Sequence, residues 1–294
     1  MSLIKTVGDA LKIHKEMMIH EDRFNGRYKT IWKNLLGHFG NMDVSNIPKY
    51  EVEKYYREQT ALRKVKKATV AKEVAMLNAS LDYCYKLEYI NTKPRTLEIS
   101  CKGEIRNVWL TLPEISKILN STRMKRNPQI EKACKIALTT TARKSAIQNL
   151  RVEQIKWNEG KRGLIDFNSK DMKNKAKPRA IVPIPKSIEK MLRECCEKSR
   201  FGWVLETRRG NKISDPLHIL KQCVKDVNID KDVCFHTLRH TGAVHMAKNS
   251  VPLLELSRYM GHTSIEVTER VYAKFYPDFM EKSSEIAGEL INAH

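Results

Sequence analysis

Residues 234–244 read CFHTLRHTGAV, and three basic side chains fall within five positions of this stretch. They are His236, Arg239 and His240. Residues three or four positions apart share one face of a helix, so the stretch predicts a cluster of basic groups on such a face. Two histidines at i and i+4 can bind a metal ion, whereas histidine and arginine together can bind a phosphate.

The metal interpretation lacks the other residues that a zinc site needs. A zinc protease has glutamate directly after the first histidine, but Thr237 occupies that position. The seven cysteines are odd in number, scattered and without CxxC spacing, a pattern that indicates reduced thiols in a cytosolic protein. The sequence therefore predicts no metal and no cofactor, and it assigns His240 a structural place in which the ring donates a hydrogen bond to backbone.

The charge of the chain points to a polyanion as its partner. The sequence has 54 Lys and Arg against 34 Asp and Glu, a formal net charge of +20. Nucleic acid is the default partner for such a charge, although charge alone leaves open a merely basic, well-solvated surface. No signal peptide and no apolar run of about 18 residues occur. We therefore predict a cytoplasmic protein with no membrane partner, associated with the nucleoid when it is on DNA.

The length of 294 residues favours two domains. Residues 1–92 contain helical patterns, with one helix ended by Gly40, one that starts after Pro48 and one with Thr69 as its N-cap. They predict a helical, DNA-binding domain. Residues 93–106 contain a proline, several basic residues and little periodicity, which is typical of an extended linker.

Residues 107–294 predict a second domain that is mainly helical with one small β-hairpin. Thr111 followed by Glu114 has the spacing of a capping box at the start of a helix. Residues 163–185 read GLIDFNSKDMKNKAKPRAIVPIP, in which two apolar runs flank a lysine-rich turn, as expected of a hairpin. No GxxxxGK[ST] motif occurs, which argues against a nucleotide-driven motor.

Further motifs surround the basic stretch on both sides. Residues 137–155 place Arg143 on a predicted helix, and the hairpin turn offers Lys173, Lys175 and Lys177. Residues 253–262 predict a helix that ends at Gly261 and delivers His262 just beyond it. Residues 263–276 predict a new helix that carries Tyr272, with Thr263 and Glu266 as its capping box.

The order Arg, Lys, HxLRH, GH, Tyr resembles the tyrosine recombinase family of phage integrases and Xer-type recombinases. The resemblance spans residues 106 to about 276 and is carried by TTTARKSAIQNL, NKAKPRAIVPI, HTLRHTGAVHMAKN and MGHTSIEVTERVY. The helical first half and the basic linker look like the core-binding (SAM-like) domain and connector of that family. The resemblance implies a C-shaped, two-domain DNA clamp and a site-specific DNA recombinase, either an integrase of a phage or mobile element or a chromosome resolvase.

The resemblance also implies a role for each motif residue. Tyr272 would attack a phosphodiester to form a 3′-phosphotyrosyl intermediate without metal or cofactor, while two arginines hold the phosphate. Lys175, with Lys173 as the alternative, would protonate the departing 5′ oxygen. The catalytic residues implied by the family are Arg143, Lys175, His236, Arg239, His262 and Tyr272. Two departures from the family pattern are Thr141, where glycine is frequent, and Ala146, where glutamate is frequent.

The partners implied by the resemblance are double-stranded DNA with specific recombination sites and further copies of the chain. A homo-tetramer on paired sites is expected, and accessory DNA-bending proteins are compatible with it. The C-terminal tail has apolar residues on one face, which either cover their own core or dock on a neighbouring protomer: Phe279, Met280, Ile286, Ala287, Leu290 and Ile291. The chain begins almost directly with the helical domain, which predicts a recombinase without a separate arm-binding domain, or a truncated one.

Several alternatives remain open from the sequence alone. Tyr276 and Tyr259 compete with Tyr272 for the role of nucleophile. A type IB topoisomerase would use the same residues to relax supercoils as a monomer, and a catalytically silent DNA-binding regulator would keep the charge without the chemistry. The sequence identifies neither the DNA site nor a choice between integrase and chromosome resolvase.

Overall fold

The computed structural model describes residues 3–92, 97–99, 107–158, 160–168, 179–276 and 280–289. The chain divides into two compact units, Met1–Glu104 and Ile105–His294. Helices dominate, and the only sheet among the described residues is small and antiparallel, which confirms the predicted fold class. Most of the predicted linker, residues 93–106, lies outside the described residues. Among the described helices, none combines the length and apolar character that crossing a membrane requires.

The first unit is a bundle of helices packed around one core. Its helices are α1 (Val7–His20), α2 (Gly26–Phe39), α3 (Lys49–Leu62) and α4 (Lys67–Lys86). Leu11, Leu35 and Leu77, one from each of three helices, are fully buried. Burying leucine side chains stabilises a fold by about 1.5–3 kcal/mol each, so these contacts hold the bundle together.

Two of the three predicted helix ends in this unit are confirmed. Gly40 is the C-cap of α2, and α3 begins directly after Pro48. The N-cap prediction at Thr69 is wrong, because α4 already begins at Lys67 and Lys66 is its N-cap. The first buried residue of α4 is Val70, three positions after the helix begins at Lys67, so the apolar periodicity on which the prediction depended starts later than the helix.

The second unit contains the remaining helices and the sheet. Its helices are α5 (Leu112–Asn120), α6 (Thr122–Lys125), α7 (Pro128–Thr140), α8 (Lys144–Gln148), α9 (Lys186–Lys198), α10 (Leu217–Asp226), α11 (Phe235–Lys248), α12 (Leu253–Met260), α13 (Glu266–Tyr272) and α14 (Glu281–Glu289). Short 3-10 turns occupy Val152–Gln154 and Ala273–Phe275. Thr111 and Glu114 form the predicted capping box at the start of α5.

The sheet contains the predicted hairpin and one further strand. Its strands are β1 (Ile155–Asn158), β2 (Lys161–Asp166) and β3 (Ile181–Pro183), in the antiparallel order β1-β2-β3. Leu164 pairs with Pro183, and Asp166 pairs with Ile181. The hairpin prediction is therefore confirmed, and most of its turn, residues 169–178, lies outside the described residues.

Helix α11, which carries the HTLRHTGAV stretch, lies at the centre of the second unit. Ten of its 14 residues are buried, so it is covered on most of its surface. It packs closely against α7 at Gly242, where an added Cβ atom would lie 2.2 Å from the carbonyl oxygen of Leu138. The absence of a side chain at Gly242 therefore sets the distance between the two helices.

Replacing Gly242 by alanine is expected to destabilise the second unit by about 1–3 kcal/mol, because the new methyl group forces α7 and α11 apart. Urea unfolding followed by circular dichroism measures this change. Gly288→Ala is the matched control, since nothing lies within 4 Å of a Cβ atom at Gly288 on α14. Equal stability of the two variants would contradict the close packing at Gly242.

Candidate active site

Three basic side chains project from one face of α11. His236, Arg239 and His240 occupy positions i, i+3 and i+4, as the sequence predicts. His236 lies in the first turn and is exposed, whereas Arg239 and His240 are each only 4% exposed. The same helix therefore presents one accessible imidazole beside a buried guanidinium and a buried imidazole.

Arg239 is held in one orientation by three hydrogen bonds. Its Nη1 donates to the carbonyl oxygen of Thr141 at 2.5 Å, and its Nη2 donates to the carbonyl oxygen of Met260 at 3.0 Å and to Nε2 of His262 at 2.9 Å. A guanidinium has five N–H donors, so two remain for a ligand. Burial and the charge of Arg143 lower the pKa of Arg239 to about 10, which still leaves it positive at neutral pH.

Arg143 lies in a loop between two helices, so its predicted place on a helix is wrong. Thr141 has a left-handed backbone (φ +51°) and ends α7, and Arg143 is extended at the N-cap of α8. A left-handed residue breaks the helical hydrogen bonding, which is why one predicted helix becomes two. Glycine adopts this conformation without strain, and this explains why glycine suits the position that Thr141 occupies.

His262 follows the left-handed Gly261 (φ +65°) that ends α12, as predicted. Its Nε2 accepts from Arg239, so its Nδ1 carries the hydrogen and donates to Oγ1 of Thr268 at 2.8 Å. Burial, followed by the charges of Arg239 and Arg143, lowers the pKa of His262 to about 4. His262 is therefore a neutral imidazole that supports Arg239 at pH 7.

The predicted capping box at Thr263 and Glu266 is wrong. Helix α13 begins at Glu266, two residues later than predicted, and Ile265 is its N-cap. The amide of Glu266 donates instead to Oγ of Ser264 at 3.2 Å. The hydroxyl of Ser264, rather than that of Thr263, therefore accepts a hydrogen bond from the start of the helix.

Tyr272 is the last residue of α13, and its hydroxyl contacts the face of α11. It is 4% exposed, and its oxygen lies 3.1 Å from Nδ1 of His240. Burial raises the pKa of Tyr272 to about 12, while the charge of Arg239 acts in the opposite direction. The two tyrosines that compete with Tyr272 donate to backbone carbonyls instead. The hydroxyl of Tyr276 donates to Val251, and the hydroxyl of Tyr259 donates to Thr139.

Among the described residues the side chain of His240 makes no hydrogen bond to backbone, so the donation to backbone that was predicted for it is wrong. Its described hydrogen bond is with the Tyr272 hydroxyl, and its Nε2 is buried without a partner among the described atoms. Burial, with the charges of His236 and Lys274, lowers the pKa of His240 to about 4. His240 is thus a neutral side chain in direct contact with the proposed nucleophile.

Three arginines line one small cavity next to α8 and the sheet. Arg143 and Arg239 are joined there by Arg179, which sequence reasoning missed. Burial, followed by the charge of Arg143, lowers the pKa of both other guanidiniums, and no carboxylate from the described residues lines the cavity. Cations that converge without a carboxylate among the described lining residues suit an anion such as a phosphate.

Arg179 follows the lysine-rich segment of the hairpin in the sequence. Its backbone amide donates to Oδ1 of Asn168 at 2.7 Å, and the side-chain Nδ2 of Asn168 donates to the backbone carbonyl of Arg179 at 2.9 Å. These bonds fix Arg179 at the end of the hairpin. Lys173, Lys175 and Lys177 lie outside the described residues, so the choice of a catalytic lysine stays a prediction. No cluster of metal-ligating side chains occurs in the described parts of the chain.

Comparison with known proteins identifies the family. Residues 108–277 match the Phage integrase family. The integrase of Escherichia phage 186 is 27% identical over 244 residues, which cover 79% of this chain and 66% of that protein. The integrase of Haemophilus phage HP1 is 27% identical over 222 residues, which cover 74% of this chain and 59% of that protein. The matched segment thus spans less than two thirds of either relative.

The fold also matches a solved structure. A lambda integrase tetramer bound to a Holliday junction superimposes with a TM-score of 0.68 over 93% of this chain and 78% of that chain, at 16% sequence identity. At this identity the match shows the fold alone. The family match covers residues 108–277, which include Arg143, the HTLRH stretch, His262 and Tyr272. The chain therefore belongs to the phage integrase family, the tyrosine recombinases that its motifs resemble.

Proposed function

We propose that this chain is a site-specific DNA recombinase that cleaves and rejoins DNA through a 3′-phosphotyrosyl intermediate on Tyr272. The observation that carries the proposal is the convergence of Arg143, Arg179 and Arg239 on one cavity without a carboxylate among its described lining residues. The Tyr272 hydroxyl bonds to the residue next to Arg239 on α11. The proposed phosphate site and the proposed nucleophile are thus linked through two adjacent residues of α11, Arg239 and His240.

The proposed cleavage step exchanges one phosphate ester for another. The Tyr272 oxygen forms a bond to phosphorus and loses its proton, the bond from phosphorus to the 5′ oxygen breaks, and that oxygen leaves as a hydroxyl. The energy of the ester bond is kept in the covalent intermediate, so a 5′ hydroxyl can reverse the reaction on the same or another strand. No metal or cofactor is needed for this balance.

The proposed roles of the other residues follow from their chemistry. Arg143 and Arg239 stabilise the charge that develops on the non-bridging oxygens, and Arg179 adds a third guanidinium. His262 keeps Arg239 in position, and His236 presents an accessible imidazole at the same face. Lys175 is proposed to protonate the departing 5′ oxygen, because a lysine pKa shifts readily in such a site.

DNA is the proposed partner, and the working form is proposed to be a tetramer on paired sites. The formal charge of +20 favours binding to the phosphate backbone. The lambda integrase, which has this fold, forms a tetramer on a Holliday junction. Exchange of two duplexes requires four cleavages, and each protomer supplies one Tyr272. Accessory DNA-bending proteins are compatible with this assembly.

An apolar groove in the second unit is the proposed dock for the tail of a neighbouring protomer. Leu112, Ile115, Leu138, Met246 and Val251 line the groove, and Leu112 is 68% exposed. On the tail, Met280 and Ile286 are 68% and 53% exposed. If the tail of one copy enters the groove of the next, apolar side chains of both the tail and the groove are removed from contact with water.

Deleting residues 279–294 is expected to reduce cooperative binding to paired DNA sites by about tenfold while leaving single-site affinity unchanged. Gel-shift titration on one-site and two-site duplexes measures both quantities. Leu112→Lys, which places a charge in the groove, should have the same effect in the full chain. Unchanged cooperativity in the deletion would show that the tail covers its own protomer.

Covalent capture tests the proposed function even though the DNA site is not identified. The protein is incubated with fragmented genomic DNA from its source cell, denatured with detergent, and the DNA that remains attached is sequenced. Recurrent cleavage at one sequence supports a recombinase. Attachment scattered without sequence preference would indicate a topoisomerase, and DNA binding without attachment would indicate a silent regulator.

A further inference from the structure

The hydroxyl of Tyr272 and the imidazole of His240 form a buried, hydrogen-bonded pair. Nδ1 of His240 lies 3.1 Å from the Tyr272 oxygen, and the two ring centroids are 5.2 Å apart. The ring of Phe275 contacts the same imidazole, with centroids 6.1 Å apart at an interplanar angle of 71°. The imidazole is therefore enclosed by aromatic rings and has little freedom to rotate.

The direction of this hydrogen bond follows from counting donors and acceptors. A neutral imidazole has one N–H and one lone-pair nitrogen, and Nε2 of His240 is buried without a partner among the described atoms. If Nδ1 donated to Tyr272, both the Nε2 lone pair and the tyrosine O–H would lack partners. If Nδ1 accepts from Tyr272, only the Nε2–H is left unpaired. The second arrangement leaves fewer buried polar groups without a hydrogen-bond partner and is therefore favoured.

We propose that His240 is a positioning residue for the nucleophile, with its Nδ1 accepting the hydroxyl hydrogen of Tyr272. This proposal depends on the proposed function, in which Tyr272 attacks DNA. A hydroxyl that donates to His240 keeps its oxygen lone pairs for phosphorus. The imidazole thus fixes the nucleophilic oxygen in one orientation before DNA arrives.

The environment of His240 keeps its lone pair available. Burial together with the nearby charges of His236 and Lys274 holds the pKa of His240 well below neutrality, so the ring is neutral at pH 7 and keeps one lone-pair nitrogen, which the count of donors and acceptors assigns to Nδ1. A correctly oriented attacking group supplies a large part of a catalysed rate, and a displacement of about 1 Å can cost about 100-fold. Loss of the hydrogen bond should therefore slow cleavage without weakening DNA binding.

Nitrogen NMR of the full chain tests the hydrogen-bond direction without DNA. The protein is labelled with ¹⁵N at histidine, and the His240 ring signals are assigned from their loss in His240→Asn. Chemical shifts of a lone-pair nitrogen at Nδ1 and of an N–H at Nε2 are expected. The reverse pattern, with the hydrogen on Nδ1, would overturn the proposal.

Kinetics test the consequence for cleavage, with a duplex recovered by covalent capture as the substrate. At saturating DNA, His240→Leu is expected to form the covalent complex about 100-fold more slowly than the wild type. His240→Asn should recover the rate to within about tenfold, because its amide oxygen lies near the position of Nδ1 and can accept the same hydrogen. DNA affinity should be unchanged in both variants.

His245→Leu is the control variant, because His245 lies on the same helix but bonds to the carbonyl oxygen of Leu110. It should keep the wild-type rate to within about threefold. A wild-type rate in His240→Leu, or equal slowing in His240→Leu and His240→Asn, would overturn the positioning role. If the wild type forms no covalent complex at all, the proposed function fails instead. Should His240→Leu not fold, His240→Asn and the NMR pattern still decide.

Discussion

Replacing Tyr272 by phenylalanine is expected to abolish covalent attachment to DNA while leaving DNA affinity within about twofold of the wild type. The change removes the oxygen that is proposed to attack phosphorus and keeps the buried ring. Loss of a nucleophile costs at least about 10⁴-fold in rate. Denaturing gels of a labelled suicide duplex measure attachment, and native gels measure affinity.

Tyr276→Phe is the matched control for this experiment. Its hydroxyl donates to the carbonyl oxygen of Val251 rather than to the arginine and histidine cluster. The variant should lose some stability, because a partly buried carbonyl loses its partner, and should keep attachment. Attachment that survives in Tyr272→Phe and disappears in Tyr276→Phe would transfer the nucleophile to Tyr276.

Replacing Arg239 by lysine is expected to lower the rate of covalent attachment by about 100- to 1,000-fold at saturating DNA, because removal of one preorganised donor to a developing oxyanion costs about this much. Lysine keeps the positive charge but lacks the planar fork that contacts Thr141, Met260 and His262 at once. Single-turnover kinetics on the suicide duplex measure the rate. Wild-type kinetics in Arg239→Lys would contradict the role of Arg239 at the phosphate.

Replacing Arg239 by alanine as well as by lysine distinguishes the effect of lost packing from the effect of lost charge. Arg239→Ala leaves the carbonyl oxygens of Thr141 and Met260 without their donor, at a cost of about 1–3 kcal/mol for each unsatisfied group. It should therefore be less stable than Arg239→Lys and at least as slow. Thermal unfolding of the two variants, together with their rates, distinguishes loss of fold from loss of chemistry.

Much of the second unit was predictable because its signals are local. The capping box at Thr111, the hairpin and the helix end at Gly261 each depend on residues within a few positions of one another. The break at Thr141 was not predictable, because a β-branched residue in the left-handed conformation is maintained by tertiary contacts. Buried α11 also lacks the apolar stripe from which helices are usually inferred, and its motif rather than its periodicity identified it.

Of the site residues, only those that belong to the sequence motif could be predicted. The spacing of His236, Arg239, His262 and Tyr272 identified the family, which the family match confirmed. Arg179 was not singled out from the sequence, because three lysines in the same segment already accounted for the positive charge of the hairpin turn. The contact of His240 with Tyr272 joins residues 32 positions apart, and no local pattern encodes such a contact.

The central claim is that Tyr272 becomes covalently attached to DNA, and mass spectrometry of the trapped complex tests it most directly. Trypsin cleaves after Arg258, Arg270, Lys274 and Lys282. It therefore places Tyr259, Tyr272 and Tyr276 in three separate peptides. After nuclease trimming, a 3′-phosphonucleotide is predicted on peptide 271–274. The same adduct on peptide 275–282 or 259–270, or its absence from all three, would contradict the account.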